Sequence, residues 1–314
     1  MKIINSTKDF PFLSEVCLTI GNFDGFHIGH QKIIASMKLA NKPSFVITFK
    51  RAPLEILNPQ RFKGYIFPYG YKVKIFRQLG IDYLAMLDFN EIKDWTKEKF
   101  LDFLKSRFKV IHLFIGEDFR FGKGNEGDVT YLSKSLSNVE VVEKVKIGNV
   151  KVSSTLVRDL LSEGRIEEAN EMLSRPYFIT SYVERGDGIG SRIGFPTLNL
   201  KKNEQVILAN GVYFTLYRLD EKVFPAMTYI GNRPTLGKRE FRNETNIIEI
   251  GESTIQLIKK KKKHSILFIK RIRDEKRLHN LEELKNLLYN DRKVVLDLFK
   301  VYNEIGGLKD EFLG

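Results

Sequence analysis

The chain has 314 residues, 42% of them hydrophobic, and a formal net charge of +13 at pH 7. That length points to two domains with a core each, and no apolar run approaches the roughly 18 residues that a membrane span requires. Residues 1–6 contain no apolar signal core, and the single cysteine, Cys17, can form no internal disulfide, so the expected setting is a reducing cytoplasm.

The charge excess is local. Residues 259–277 carry ten Lys or Arg against Asp274 and Glu275, a net +8. The centre of that run, Lys259 to Lys263, falls between two strand-like stretches, 254–258 and 265–269, and reads as a solvated hairpin tip. A basic RNA-binding protein is the rival reading of the same lysines, but no aromatic residues are interleaved with them as a stacking platform for single strands needs.

In chain order, residues 16–20 read as a buried strand and residues 31–38 as a helix. Between them lies Gly21-Asn22-Phe23-Asp24-Gly25-Phe26-His27-Ile28-Gly29-His30. Strand, glycine-bearing turn and helix N-terminus together make the phosphate-binding corner of an open α/β sheet. Gly21, Gly25 and Gly29 let backbone approach a ligand with no Cβ in the way. Two of the five histidines, His27 and His30, stand three apart at the helix start. Paired imidazoles there can donate to a phosphate and stabilise charge that grows during transfer. A zinc site would need a third ligand, and none is close in sequence. The stretch resembles the His-x-Gly-His signature of the nucleotidyltransferase superfamily, whose members join a nucleotide to a phosphate-bearing partner and release pyrophosphate.

Further strands are expected at 44–49, 83–87 and 110–115, and helices at 69–79 and 95–108, the second with Phe100, Phe103 and Leu104 on its apolar side. Strands alternating with helices predict a parallel, Rossmann-like sheet covered on both faces. Ligands bind beyond the carboxyl ends of such strands, and a second strand end, residues 116–122, carries Asp118. Ser153 or Ser154 reads as a helix N-cap, with spare hydroxyls and the fork of Arg158 available for ATP phosphates.

Near Pro176 the helical spacing gives way to short strand-like runs, including 211–217, 226–230 and 245–250, which predict a small β-barrel. Gly186, Gly188, Gly190 and Gly194 form a loop able to present N–H groups to phosphate, without the Walker pattern. Thr197 and Asn199, two apart in extended chain, point the same way and offer hard oxygens suited to Mg²⁺ carrying nucleotide phosphates. Glu244 stands at the start of its expected strand, where a solvated charge is the plain reading. Residues 280–302 read as a helix whose stripe, from Leu281, Leu284, Leu287 and Leu288 to Val295, Leu296, Leu298 and Phe299, is expected to be core packing and no cofactor box.

Three segments, Gly21 to His30, Gly-Glu-Asp-Phe-Arg-Phe-Gly at 116–122 and Val-Ser-Ser-Thr-Leu-Val-Arg at 152–158, occur in the order seen in prokaryotic bifunctional riboflavin kinase/FAD synthetase. Leu173 to Tyr177, the loop from Gly186 through Pro196-Thr197-Leu198-Asn199, and residues 230–235 extend the resemblance to about residues 15–300. It implies an N-terminal α/β FMN adenylyltransferase domain, 1–175, and a riboflavin kinase β-barrel with a C-terminal helix, 176–314. His27 and His30 would be catalytic in the first. Gly21, Phe23, Asp24, Gly25, Asp118, Ser154, Thr155 and Arg158 would bind ATP with them. In the second, the four loop glycines, Thr197 and Asn199 would hold Mg-ATP, Glu244 would be the base, and Arg273 would belong to a flap on the flavin side. ATP, riboflavin, FMN and FAD are the implied small-molecule ligands, with Mg²⁺; no membrane or nucleic-acid partner is expected, and homo-oligomerisation is left open with nothing indicating it. The chain departs from the family pattern at Ala52, where a His is usual, at Ser191, where an Arg is usual beside Arg192, at Leu198, and at Ser174, where a Gly is usual. A different nucleotidyltransferase with an unrelated C-terminal domain is the alternative; it would have no use for Thr197, Asn199 and Glu244.

Overall fold

A computed structural model describes residues 1–220, 222–235, 238–276 and 280–304, apart from the side chains of 232–235, 238–240 and 259. Arg277 and the side chain of Lys259, both counted in the basic run, therefore lie outside the described residues, as do the side chains of 232–235 in the resemblance segment. The chain forms two compact units. One comprises Met1–Lys63 and Phe67–Ser154, the other Gly64–Ile66 and Thr155–Gly314.

The first unit is built on a sheet of six parallel strands: β1 (Lys2–Ile4), β2 (Leu13–Ile20), β3 (Ser44–Phe49), β4 (Tyr83–Leu87), β5 (Phe108–Gly116) and β8 (Asn138–Val142). Their spatial order is β1-β4-β3-β2-β5-β8. Two small ribbons flank it, β6 (Arg120–Phe121) with β7 (Gly127–Asp128) and β9 (Lys146–Ile147) with β10 (Val150–Lys151). The helices are α1 (Ile28–Leu39), α2 (Pro53–Leu57), α3 (Tyr69–Gln78), α4 (Lys97–Arg107) and α5 (Val129–Ser135).

All six residues of β3 are buried, as expected of a strand covered on both faces. Alternate residues divide between two cores. Val16, Leu18, Ile20, Phe45 and Ile47 pack with Phe100, Leu101 and Leu104 of α4 and Leu132 of α5. Cys17, Val46, Leu84 and Met86 pack on the opposite face with Ile34 and Met37 of α1 and Ile75 and Phe76 of α3. The parallel, doubly covered sheet expected from the sequence is thus present. α4 is shorter than expected: the Thr96 hydroxyl accepts from Lys99 N at 3.2 Å and caps it, and Phe108 already belongs to β5. From β2 the chain passes through α1 to β3 on one side, while β5 lies on the other. The ends of β2 and β5 consequently open side by side where the strand order reverses, the position at which such sheets take ligands.

The second unit begins with α6 (Ser154–Glu163), whose first residue falls in the first unit, and α7 (Ile166–Leu173). Its barrel is closed and antiparallel, in the order β11 (Tyr177–Glu184), β12 (Leu198–Leu200), β15 (Lys238–Ile247), β14 (Lys222–Thr235), β13 (Gly211–Leu219) and β16 (Lys263–Arg273); β16 pairs back onto β11. Also present are the short α8 (Ile189–Arg192), α9 (Glu252–Lys260) and α10 (Leu281–Glu304). Gly64–Ile66 is held here by Tyr65 N donating to Glu204 O at 2.8 Å and by Gln205 Nε2 donating to Ile66 O at 3.1 Å. On the inward side of the barrel wall Thr215, Thr228 and Thr245 form a buried hydroxyl row with spacings of 2.8 and 2.9 Å.

Three sequence expectations are corrected in this unit. Residues 254–258 form α9 and not a strand: Ile255 and Ile258, three apart, share one side of the helix, while Leu257 is exposed. The lysine run is therefore a helix end leading into β16, and no hairpin tip. The strand expected at 245–250 is β15, which ends at Ile247 and begins at Lys238, so Glu244 lies inside it. Residues 189–192 of the expected open glycine loop wind into α8, where Phe195 N donates to Gly190 O at 2.8 Å.

Candidate active sites

The turn after β2 is rigid in a way its glycines alone do not explain. Phe23 (φ 49°), Gly25 (φ 78°) and Phe26 (φ 43°) all occupy the left-handed region, which is costly for phenylalanine. Their rings hold them there: Phe23 and Phe26 meet Phe76 edge-on at 5.5 and 5.7 Å, and Phe23 meets His30 at 5.1 Å. His27 caps α1 through Nδ1, which accepts from His30 N at 3.4 Å. That contact puts the proton of a neutral ring on Nε2. The two imidazoles stack with centroids 3.7 Å apart and planes 19° apart. Gly21 and Gly29 make room for the chain's own rings, not only for a ligand: a Cβ would lie 3.1 Å from Phe23 and 3.2 Å from His27.

Asp24 is buried; its Oδ1 accepts from Phe67 N at 3.4 Å, and its carbonyl accepts from Ser154 Oγ at 2.9 Å. Ser154 is thus the first residue of α6 with its hydroxyl tied to the histidine turn, and of the two serines expected at the helix start it is Ser153 that immediately precedes the helix. Asp118 stands exposed after β5 in an ion pair with Lys144. Thr155 is exposed, and Arg158, in the second unit, is buried with Nε donating to Gly64 O at 2.9 Å. A residue that sequence reasoning missed is Lys72. It is 5% exposed and donates to Asn22 Oδ1 at 3.3 Å and Phe49 O at 3.2 Å. The available signal was a lysine one turn before Ile75 and Phe76, on the apolar side of α3.

In the second unit a cavity of about 290 Å³ lies between the outer wall of the barrel and α10. The register builds its floor. Asn199 on β12 faces Glu244 on β15, and Glu244 faces Tyr229 on β14, so these side chains project from one face. Arg242 and Asn246, two residues either side of Glu244, line the same cavity. Thr197 and Asn199 both reach it, as their spacing predicts, although Thr197 precedes β12. Asn199 is 8% exposed and its Oδ1 has no hydrogen-bond partner among the described residues. Gly188 and Gly190 line the cavity, and a Cβ on Gly186 would collide with the Asn199 amide.

Arg242 Nη2 donates to Asp187 Oδ2 at 3.4 Å, and the Tyr229 hydroxyl donates to Glu275. Arg273 also lines the cavity, but its guanidinium is engaged by the buried carboxylate of Asp291 on α10 at 2.7–3.1 Å. The apolar wall is Val212, Met227 and Phe195 with Leu284, Leu287 and Leu288. The first half of the α10 stripe therefore lines a ligand-sized cavity, which corrects the expectation of pure core packing; Val295 alone of the stripe is fully buried. A second cavity of about 430 Å³ adjoins the first, sharing Thr197 and Asn246, and is lined by Gly194, Ile247, Ile250, Ile255, Ile258 and Arg292. Arg242, Glu244 and Asn246 form a polar row of period two, a signal missed because the strand was placed too late.

The sequence pattern of the FAD synthetase family matches residues 10–156, and that of the riboflavin kinase family matches residues 173–299. A bifunctional riboflavin kinase/FMN adenylyltransferase of Escherichia coli K12 is 31% identical over 297 residues, spanning 90% of this chain and 92% of that one. The chain belongs to the bifunctional riboflavin kinase/FMN adenylyltransferase family. A second member, from Bacillus subtilis 168, is 30% identical over 316 residues and covers 95% and 98% of the two chains. A crystal structure from Streptococcus pneumoniae, described as a macrolide-efflux protein, superposes with a TM-score of 0.83 at 26% identity, covering 94% of this chain and 99% of that one. Among the described residues of the present family member, no helix is long and apolar enough to cross a membrane. The riboflavin kinase match sets aside an unrelated C-terminal domain, and nothing found points to RNA.

Proposed function

We propose that the protein phosphorylates riboflavin to FMN with ATP and then adenylylates FMN to FAD, releasing pyrophosphate. What carries the reading is the convergence, in a chain matching both family patterns, of Asn199 and Glu244 on one cavity of the barrel. The functional modules on this reading are residues 1–175 and 176–314, working in the cytoplasm.

In the kinase module the apolar wall of Leu284, Leu287 and Leu288 receives the flavin ring, and Arg273 helps fix the flap beside it. The adjoining cavity, walled by isoleucines, takes the adenine of ATP, so the nucleotide phosphates meet riboflavin at Thr197. Gly186, Gly188, Gly190 and Gly194 allow the loop backbone to cradle those phosphates. The unpartnered Oδ1 of Asn199 and the Thr197 hydroxyl are hard oxygens at one cavity wall, a donor set that fits Mg²⁺. Mg²⁺ held there would offset the charge of the ATP phosphates. The Glu244 carboxylate takes the proton of the ribityl hydroxyl as that oxygen attacks the γ-phosphorus. Burying the flavin against α10 excludes water that would otherwise compete for the phosphoryl group.

In the adenylyl module the FMN phosphate attacks the α-phosphorus of ATP. His27 and His30 donate to oxygens on which charge develops, their rings held in place by the stack and by the Phe23 contact. Gly21, Phe23, Asp24 and Gly25 shape the ATP pocket, Ser154 is tied to it through the Asp24 carbonyl, and Asp118, Thr155 and Arg158 complete nucleotide binding. Incubating the purified protein with riboflavin, Mg²⁺ and ATP tests both halves: FMN, then FAD and pyrophosphate, are expected. FMN without FAD would retain the kinase and remove the adenylyltransferase; neither product would refute the reading.

A further inference from the structure

We propose that Arg242 is a further catalytic residue of phosphoryl transfer to riboflavin, its guanidinium binding the transferring phosphoryl group; this rests on the kinase reading of the barrel cavity. Among the described residues lining that cavity, Arg242, Arg273 and Lys276 carry positive charge. Their surroundings differ. Arg273 is held along the Nε–Nη2 edge of its fork by Asp291, whose side chain is 6% exposed, and its Nη1 donates to Asp274 O. Lys276 is exposed. The cation of the glycine loop itself, Arg192, is exposed and is not part of the lining.

Arg242 stands where the chemistry has to happen. It projects from β15 two residues before Glu244, on the same face, so it neighbours the base along the strand. Its side chain is 10% exposed, whereas its partner Asp187 is 48% exposed and stands between Gly186 and Gly188 on the loop that drapes over Asn199. The 3.4 Å separation is long for a charge-assisted bond. A carboxylate on a glycine-flanked loop, at that distance from a desolvated guanidinium, stands in for a stronger anion. The phosphoryl group is that anion. When ATP enters, its γ-phosphate replaces the Asp187 carboxylate on the fork and Asp187 turns to solvent. The ribityl hydroxyl oxygen then bonds to the γ-phosphorus, the bond from phosphorus to the bridging oxygen breaks with its electron pair leaving on ADP, and the proton passes to Glu244. Arg242 stabilises charge on the equatorial oxygens in flight, and a planar fork suits that role better than an ammonium.

The test is steady-state FMN formation from riboflavin and Mg-ATP by the full chain, with FAD formation from supplied FMN as the folding control. Arg242→Gln is expected to lower kcat about 100-fold or more, with the KM for riboflavin within about twofold of wild type and the control reaction intact. Added guanidinium is expected to raise the rate of this variant and not that of wild type. Arg242→Lys, which keeps the charge and loses the fork, should fall between, and it replaces the Gln variant should that one fail to fold. Asp187→Asn is expected to lower the KM for ATP and leave kcat near wild type, since it removes the carboxylate that the γ-phosphate must displace from Arg242. Wild-type kcat in Arg242→Gln or Arg242→Lys overturns the proposal. So does an equal loss of kcat in Asp187→Asn with no response to guanidinium in Arg242→Gln, which would mark the pair as a brace for the loop. A wild-type protein that makes no FMN at all would instead overturn the kinase reading itself.

Discussion

His264 shows how one buried side chain makes the barrel sensitive to acid. Its Nδ1 lies 2.9 Å from the Tyr217 hydroxyl and its Nε2 3.2 Å from Lys261 O. Burial holds the imidazole below its ordinary value near 6.5, with Lys261 adding to that effect and its carbonyl opposing it. Burial likewise pushes the Tyr217 hydroxyl up to about 12, so it stays a donor throughout the working range. A folded-state value below the unfolded one means that the unfolded chain binds the extra proton. Stability is therefore present above about pH 6.5 and is lost as pH falls through the folded value. Melting temperatures measured from pH 7.5 downward should show that decline in wild type, and His264→Gln should flatten it below about pH 6.5. Ser174 offers a change of opposite sign. It ends α7 at φ 57°, a conformation costly for any residue with a Cβ, so Ser174→Gly should add about 1 kcal/mol to stability, read by chemical denaturation. At Asn199, replacement by Ala removes the unpartnered oxygen; on the proposed Mg²⁺-holding role, the Mg²⁺ concentration for half-maximal FMN formation should rise by about tenfold or more.

At the scale of elements, α10 is held to the barrel by a buried charge. Asp291 on the helix and Arg273 at the end of β16 are 6% and 18% exposed and paired at 2.7 Å. Removing one partner of such a pair strands the other, so Asp291→Ala should destabilise by about 3 kcal/mol and, on the proposed flavin site beside α10, raise the KM for riboflavin. The elements legible in the sequence were those whose period was unambiguous. β3 and β4 occur at the expected residues because fully buried strands of a parallel sheet are short apolar runs bounded by polar residues. α9 was misread because Ile255, Leu257 and Ile258 satisfy alternation over a few residues as well as they satisfy a helical face. That error displaced β15 and hid the row of Arg242, Glu244 and Asn246. In α10 the stripe was legible but its destination was not: Leu284 and Leu288 look alike in sequence whether they meet a strand or line a cavity. The histidine turn was visible by its motif. The role of Phe23 and Phe26 was not, since nothing local announces a left-handed phenylalanine held by a ring from α3.

For the molecule as a whole, each unit supplies the geometry proposed for its own transfer: a helix start at the reversal point of a parallel sheet in one, a polar floor on the outer wall of a closed barrel in the other. The proposed division of chemistry rests on the groups given catalytic roles, with Asn199, Glu244 and Arg242 in the second unit and His27 and His30 in the first. The charge of the molecule is compatible with this economy of anionic substrates, since a positive field raises the local concentration of ATP and FMN. The most direct measurement of the central claim is product analysis of Glu244→Gln, run once with riboflavin and ATP and once with FMN and ATP. The account predicts no FMN in the first reaction and FAD at the wild-type rate in the second; loss of both products, or undiminished FMN formation, would contradict it.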